Sequence, residues 1–188
     1  MRTELVTFHT ADRFPLDGLV YTPDAGAADR AALLVHGKVM NFYTGPGRIL
    51  PPHLAALGWS CLAMNRRGHD LGGIRNGRES YGGSWETFGD SQLDIAAGIA
   101  ELRRRGFSKI VLVGHSFGGI AAAAYAADHP DEVAALALCS AGSGGPDLQR
   151  RRGRVRNSGL RLVQENRRLI IVLLFFKMDF SYEKECSA

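Results

Sequence analysis

The chain reads as an α/β protein, with a mostly parallel sheet covered by helices on both faces. Three observations carry this expectation. Short runs such as Ala31 to Val35, Trp59 to Met64, Ile110 to Val113 and Val133 to Cys139 are continuously apolar or nearly so, as strands buried on both faces are. Helical spacing appears between them, with Phe88, Ile95, Ile99 and Leu102 along one face and an alanine-rich run after Phe117. The connections are short, and strands alternating with helices build a sheet with two covered faces.

Taken in order, Glu4 to His9 and Leu16 to Tyr21 alternate apolar and polar residues around Asp12 and Pro15. They read as an antiparallel pair at a sheet edge. Pro23 to Arg30 is a loop, and the Ala31 to Val35 strand closes on His36-Gly37. Ile49 to Leu57 is expected to be a helix ended by Gly58, followed by the Trp59 to Met64 strand. Asn65 to Gly83 holds six glycines and four arginines and reads as an exposed loop. Thr87 and Asp90 fit the reciprocal cap that starts a helix, and Gly106 ends it. The Val133 to Cys139 strand comes after the His129-Pro130 break. Function in such sheets gathers at the carboxyl ends of the strands, where His36, Asn65, Ser116 and Ser140 all fall.

With 188 residues, 45% hydrophobic content and 22% charged residues, the chain has the size and composition of one globular domain. The net charge of +4 is concentrated, because eight arginines fall between Arg150 and Arg168. That local basicity argues against a nucleic-acid surface across the domain. Cys61, Cys139 and Cys186 are widely spaced, the first two inside apolar runs. This pattern fits free thiols in a reducing cytoplasm and no metal site. The first residues, MRTELVTFHTADRF, lack the apolar core of a signal peptide. Leu169 to Phe176 is under half of the roughly 20 residues a bilayer span requires. Arg150 to Arg152 occupy consecutive positions and LIIVLLFF has no polar face, so the segment also makes a poor membrane-surface helix.

The organising stretch is Lys109 to Ala127, KIVLVGHSFGGIAAAAYAA. An apolar strand that becomes a helix within two residues puts Ser116 at a strained corner, with Gly114 and Gly118 where side chains would collide. The corner lifts the hydroxyl clear of the sheet at a helix N-terminus, whose free N–H groups and partial positive charge suit an oxyanion.

LLVHGK (Leu33 to Lys38), NRRGHDLGG (Asn65 to Gly73) and VGHSFGG (Val113 to Gly119) occur in this order. Together they resemble the α/β-hydrolase family over about Glu4 to Gly145. The first is similar to the family's His-Gly turn. The second is similar to its D-x-R-G-H-G loop, with Asn65 and Asp70 as departures. Among members the chain looks most like the serine-aminopeptidase-like and lysophospholipase-like esterases. The resemblance implies acyl transfer: Ser116 attacks an ester, amide or thioester of a small-molecule substrate without a cofactor. The backbone N–H groups of Phe117 and Lys38 would hold the oxyanion, and losing one such donor typically raises a barrier by about 3–4 kcal/mol.

The pattern then breaks. The family supplies its acid and base downstream, in the order Ser, Asp/Glu, His. The only histidine after Ser116 is His129, which sits about 20 Å away along a helix rising 1.5 Å per residue. His115 is adjacent to the serine, so its side chain is expected to point elsewhere. His36 and His69 are expected to support loops, and Asp147 is a conceivable acid without its histidine. Residues 1–145 therefore read as a partial hydrolase core, and 146–188 as a divergent basic and apolar segment that could open a cap. The usual last strands are missing, and LIIVLLFF is open to reading as a strand or a buried helical turn. The expectation is a truncated or divergent serine hydrolase, inactive if the base is absent. The alternative is a non-catalytic binding protein of the same fold.

Overall fold

The computed structural model describes residues 1–26, 28–75, 79–141 and 171–174. Seven strands form one sheet in the order β1-β2-β4-β3-β7-β8-β9. These are β1 (Arg2–His9), β2 (Pro15–Thr22), β3 (Arg30–Val35), β4 (Ser60–Met64), β7 (Lys109–His115), β8 (Ala135–Cys139) and β9 (Ile171–Leu174). β2 runs antiparallel to both β1 and β4, and every later pairing is parallel. The expected antiparallel pair at the sheet edge is present. Val35 lies opposite both Met64 and Gly114, and His115 opposite Cys139. The four central strands thus end on one edge and release their following loops side by side.

Alternation along the strands separates two cores. Leu33, Val35, Leu62, Met64, Ile110 and Leu112 face α2 (Phe88–Arg104) and α3 (Phe117–Asp128), meeting Ile95, Ile99, Ala121 and Tyr125. Ala32, Leu34, Cys61, Ala63 and Val113 face the other way, towards Leu50 and Leu54 of α1 (Pro46–Ala56). Strands with both faces covered need no polar alternation, which is why their sequences read as plain apolar runs.

The helix starts follow local chemistry. Thr87 caps α2, its hydroxyl accepting from the Asp90 N–H at 3.3 Å while Asp90 accepts from the Thr87 N–H at 2.7 Å. α1 begins three residues before the expected Ile49, at Pro46. A proline there has the right preset φ and lacks only an N–H that would go unpaired in any case. Asn65 to Gly83 departs further from expectation. It contains a short antiparallel hairpin, β5 (Gly73–Arg75) with β6 (Glu79–Tyr81), and Asn65 and Arg66 are buried. Of the two readings of LIIVLLFF, residues 171–174 take the strand, parallel to β8. A strand beyond β8 is therefore present. The boundary at 145 and the arginine-rich stretch lie outside the described residues.

α2 approaches the sheet closely through Gly98, where an added Cβ would lie 2.8 Å from Met64 Sδ and 2.9 Å from both Leu33 methyls. Gly98→Val is expected to lower stability by about 1–3 kcal/mol through overpacking. Gly89→Ala, on the same helix with nothing nearer than 3.8 Å, should be neutral or slightly stabilising. Thermal denaturation of the two variants checks the contrast.

Candidate active site

β7 ends at His115 and α3 begins at Phe117, so Ser116 alone makes the corner, at φ 52° and ψ −120°. A side-chain-bearing residue in such a region costs of order 1–3 kcal/mol and persists only when its surroundings fix it. Here the Ser116 N–H donates to the Cys139 carbonyl at 3.0 Å, and its own carbonyl accepts from the Gly119 N–H at 3.0 Å. The glycines around it are needed for close approach. A Cβ on Gly114 would sit 2.5 Å from Gly119 Cα. One on Gly118 would sit 2.3 and 2.4 Å from the carbonyl oxygens of His36 and Val35.

The turn after β3 lies against this corner. A Cβ on Gly37 would stand 3.1 Å from Ser116 Cβ and 3.3 Å from His115 Nδ1. His115 therefore aims a ring nitrogen towards the same turn; that atom is buried without a hydrogen-bond partner among the described residues, and burial lowers the ring's pKa. The Lys38 side chain is exposed. Its backbone N–H and that of Phe117, the first residue of α3, donate to no group among the described residues.

Arg66 ties the turn down from behind. Its guanidinium is wholly buried, with Nε donating to the His36 carbonyl at 3.2 Å and Nη2 to the Gly37 carbonyl at 3.3 Å. Nη1 pairs with buried Glu86 and reaches Ser91 Oγ at 3.1 Å, and the cation stands 5.1 Å from the centre of the Phe117 ring. Burial lowers its pKa to about 10, so it stays charged at neutral pH. The Arg66 backbone N–H donates to His36 Nε2 at 3.0 Å. His36 Nδ1 must then carry the proton it gives to the Gly37 carbonyl at 2.7 Å. Both nitrogens are occupied, and burial, with the Arg66 charge next, lowers the His36 pKa to about 3.

Arg67 faces the other way. It binds Asp94 through its backbone N–H (2.8 Å) and Nε (2.9 Å), grips both carboxylate oxygens of Asp12 (2.8 and 3.0 Å), and lies over the Phe14 ring. The bond from Arg67 holds Asp12 well below the usual carboxylate range, whereas burial raises Asp94 despite the same partner.

No histidine nitrogen hydrogen-bonds Ser116 Oγ among the described residues. His69 Nδ1 is 2.8 Å from Asp70 Oδ2 and its ring stacks on Tyr81. His129, at the far end of α3, is exposed and stacks on Tyr125. His9 and His53 are exposed. Asp147 lies outside the described residues. Of the aromatics near the strand ends, Phe42 packs into the second core, while Tyr43 and Trp85 are exposed. Among the described residues no cluster could hold a metal ion, and no helix is long and apolar enough to cross a membrane. The importance of Arg66 and Glu86 escaped sequence reasoning; the only signal was a charged residue two positions beyond the strand, inside a recognisable motif.

The chain belongs to the family described as alpha/beta hydrolase fold, whose model matches residues 33–166. Three solved structures are similar. The α/β hydrolase GrgF from Penicillium sp. sh18 is 20% identical over 89% of this chain and 54% of that one, with a TM-score of 0.63. A probable hydrolytic enzyme from Pseudomonas aeruginosa PAO1 is 27% identical over 73% and 40%, at 0.51. An esterase from Pyrococcus furiosus is 24% identical over 74% and 49%, at 0.59. The chain spans about half the length of these structures. No curated protein matches it.

His36 sets a pH dependence. In the unfolded chain an imidazole takes a proton below about pH 6.5, whereas folded His36 does so only near pH 3. Between these values the unfolded state binds more protons, so stability should fall as pH falls. His36→Asn should be less stable at pH 7 but lose less on going to pH 5, a contrast measurable by urea denaturation at the two pH values.

Proposed function

We propose that this chain is built as a serine hydrolase in which Ser116 attacks the carbonyl of a small ester, amide or thioester. The N–H groups of Lys38 and Phe117 receive the oxyanion. The observation that carries the reading is the backbone of Ser116, held at φ 52° between a strand and a helix with Gly37 packed against its Cβ. In support, the corner stands at the N-terminus of α3, and the N–H groups of Lys38 and Phe117 have no partner among the described residues, as donors kept for a tetrahedral intermediate would. Within the family the reading is of the serine-aminopeptidase-like and lysophospholipase-like esterase branch, acting in the cytoplasm with neither nucleic acid nor membrane as partner.

A second reading is favoured by the histidines. His36 has both nitrogens engaged, and His129 is at the wrong end of its helix. A serine of ordinary pKa without a base is a weak nucleophile. The second reading is thus a binding protein that keeps the site without turnover.

A fluorophosphonate probe separates the two. A serine hydrolase should be labelled at Ser116, with labelling lost in Ser116→Ala. Absence of labelling at high protein concentration would favour the binding protein. Gly118→Ala should abolish labelling too, because its Cβ would meet two backbone carbonyls that cannot swing aside.

A further inference from the structure

We infer that Arg66 is a positioning residue for the oxyanion site, fixing and polarising the Gly37–Lys38 peptide group, whose N–H faces the reacting carbonyl, and bracing the ring of Phe117, the residue that carries the second N–H. The inference rests on the reading of Ser116, Lys38 and Phe117 given above. Its basis is a convergence of contacts. The Gly37 carbonyl and the Lys38 N–H belong to one peptide unit. That carbonyl accepts from Arg66 Nη2 at 3.3 Å and from His36 Nδ1 at 2.7 Å. Donors drawn to the oxygen pull electron density from the nitrogen, so the N–H at the other end becomes a stronger donor. The same guanidinium holds the preceding carbonyl, that of His36, through Nε at 3.2 Å. Two consecutive carbonyls are thereby tied to one planar group, which fixes the direction of the Lys38 N–H. On its other side the cation lies 5.1 Å from the centre of the Phe117 ring, on the residue that supplies the second N–H.

A buried ion pair is poor evidence of net stability, since desolvation offsets most of the attraction. Arg66 and Glu86 have side-chain exposures of 0% and 1%, so the pair needs another reason to be there. Glu86 balances the charge, and with Ser91 Oγ it occupies the Nη1 side of the fork. The remaining two nitrogens are left aimed at the turn. Lysine carries the same charge but lacks the fork that reaches both carbonyls.

The test uses the full chain, comparing wild type with Arg66→Lys and with the double variant Arg66→Met/Glu86→Gln, which removes both charges together should the lysine variant fail to fold. NMR relaxation and chemical shifts provide a readout that needs no activity. In wild type the Lys38 amide should show a rigid order parameter of about 0.85, falling towards about 0.6 in the variants. The Gly37 carbonyl carbon and the Phe117 ring protons should shift with it, while the amides of Leu33 and Leu112 stay rigid. Unchanged signals at Lys38 and Phe117, or a uniform loosening of every amide, would overturn the inference. Fluorophosphonate labelling of Ser116 should slow by about tenfold in Arg66→Lys, less than the 10²–10³ typical of losing a donor outright. An unlabelled wild type would count against the Ser116 reading alone, and the relaxation data would still decide the role of Arg66.

Discussion

The contact on which the structure turns is one of backbone against backbone. The first turn of α3 rests, through Gly118, on the carbonyl oxygens of Val35 and His36 at a distance no Cβ can occupy. Because β3 and β7 pair in register, with Val35 opposite Gly114, the strand leading into the corner and the strand leading into the turn end together. The separation of the corner and the turn is consequently set by main-chain atoms alone. Side-chain rotamers cannot relax it, and the unfavourable φ of Ser116 survives because three glycines and two backbone hydrogen bonds leave the serine nowhere else to go.

How far the sequence could be read depends on the range of each interaction. The corner was legible because its causes are local: an apolar run, glycines two positions either side of a serine, and an alanine-rich helix. The buried strands were legible because a sheet covered on both faces removes polar alternation. Thr87 and Asp90 were legible because a reciprocal cap involves residues three apart. The hairpin inside the glycine-rich stretch was not, since glycine and arginine content says only that a segment can bend and be solvated. Burial of Arg66 was even less accessible. It depends on Glu86, twenty residues on, and on carbonyls at the end of another strand. α1 starts ahead of Ile49 because the ring of Pro46 suits a first helical position.

Histidine illustrates the limit of counting residue types. Six are present, and one stands at the turn beside Ser116, yet its chemistry is already committed. With Nδ1 giving its proton to Gly37 and Nε2 receiving one from the Arg66 backbone, His36 acts as a neutral hydrogen-bonded link between β3 and the loop after β4. Burial keeps it neutral across the physiological range, which is what a structural link requires and the opposite of what a proton shuttle would need. Assigning a base from proximity alone would therefore mistake a structural group for a reactive one.

The neighbouring arginine carries a different implication. Arg67 joins Asp12, in the turn between β1 and β2, to Asp94 on α2, and it follows directly on the residue that braces the site. The edge hairpin is thus moored to the middle of the molecule at its tip as well as through its ladder. Trimming the first two strands, a common move when excising a minimal core, would free one end of that mooring and leave Asp94 and the Arg67 guanidinium sharing a half-empty socket. An edge pair of strands is in this way mechanically part of the centre.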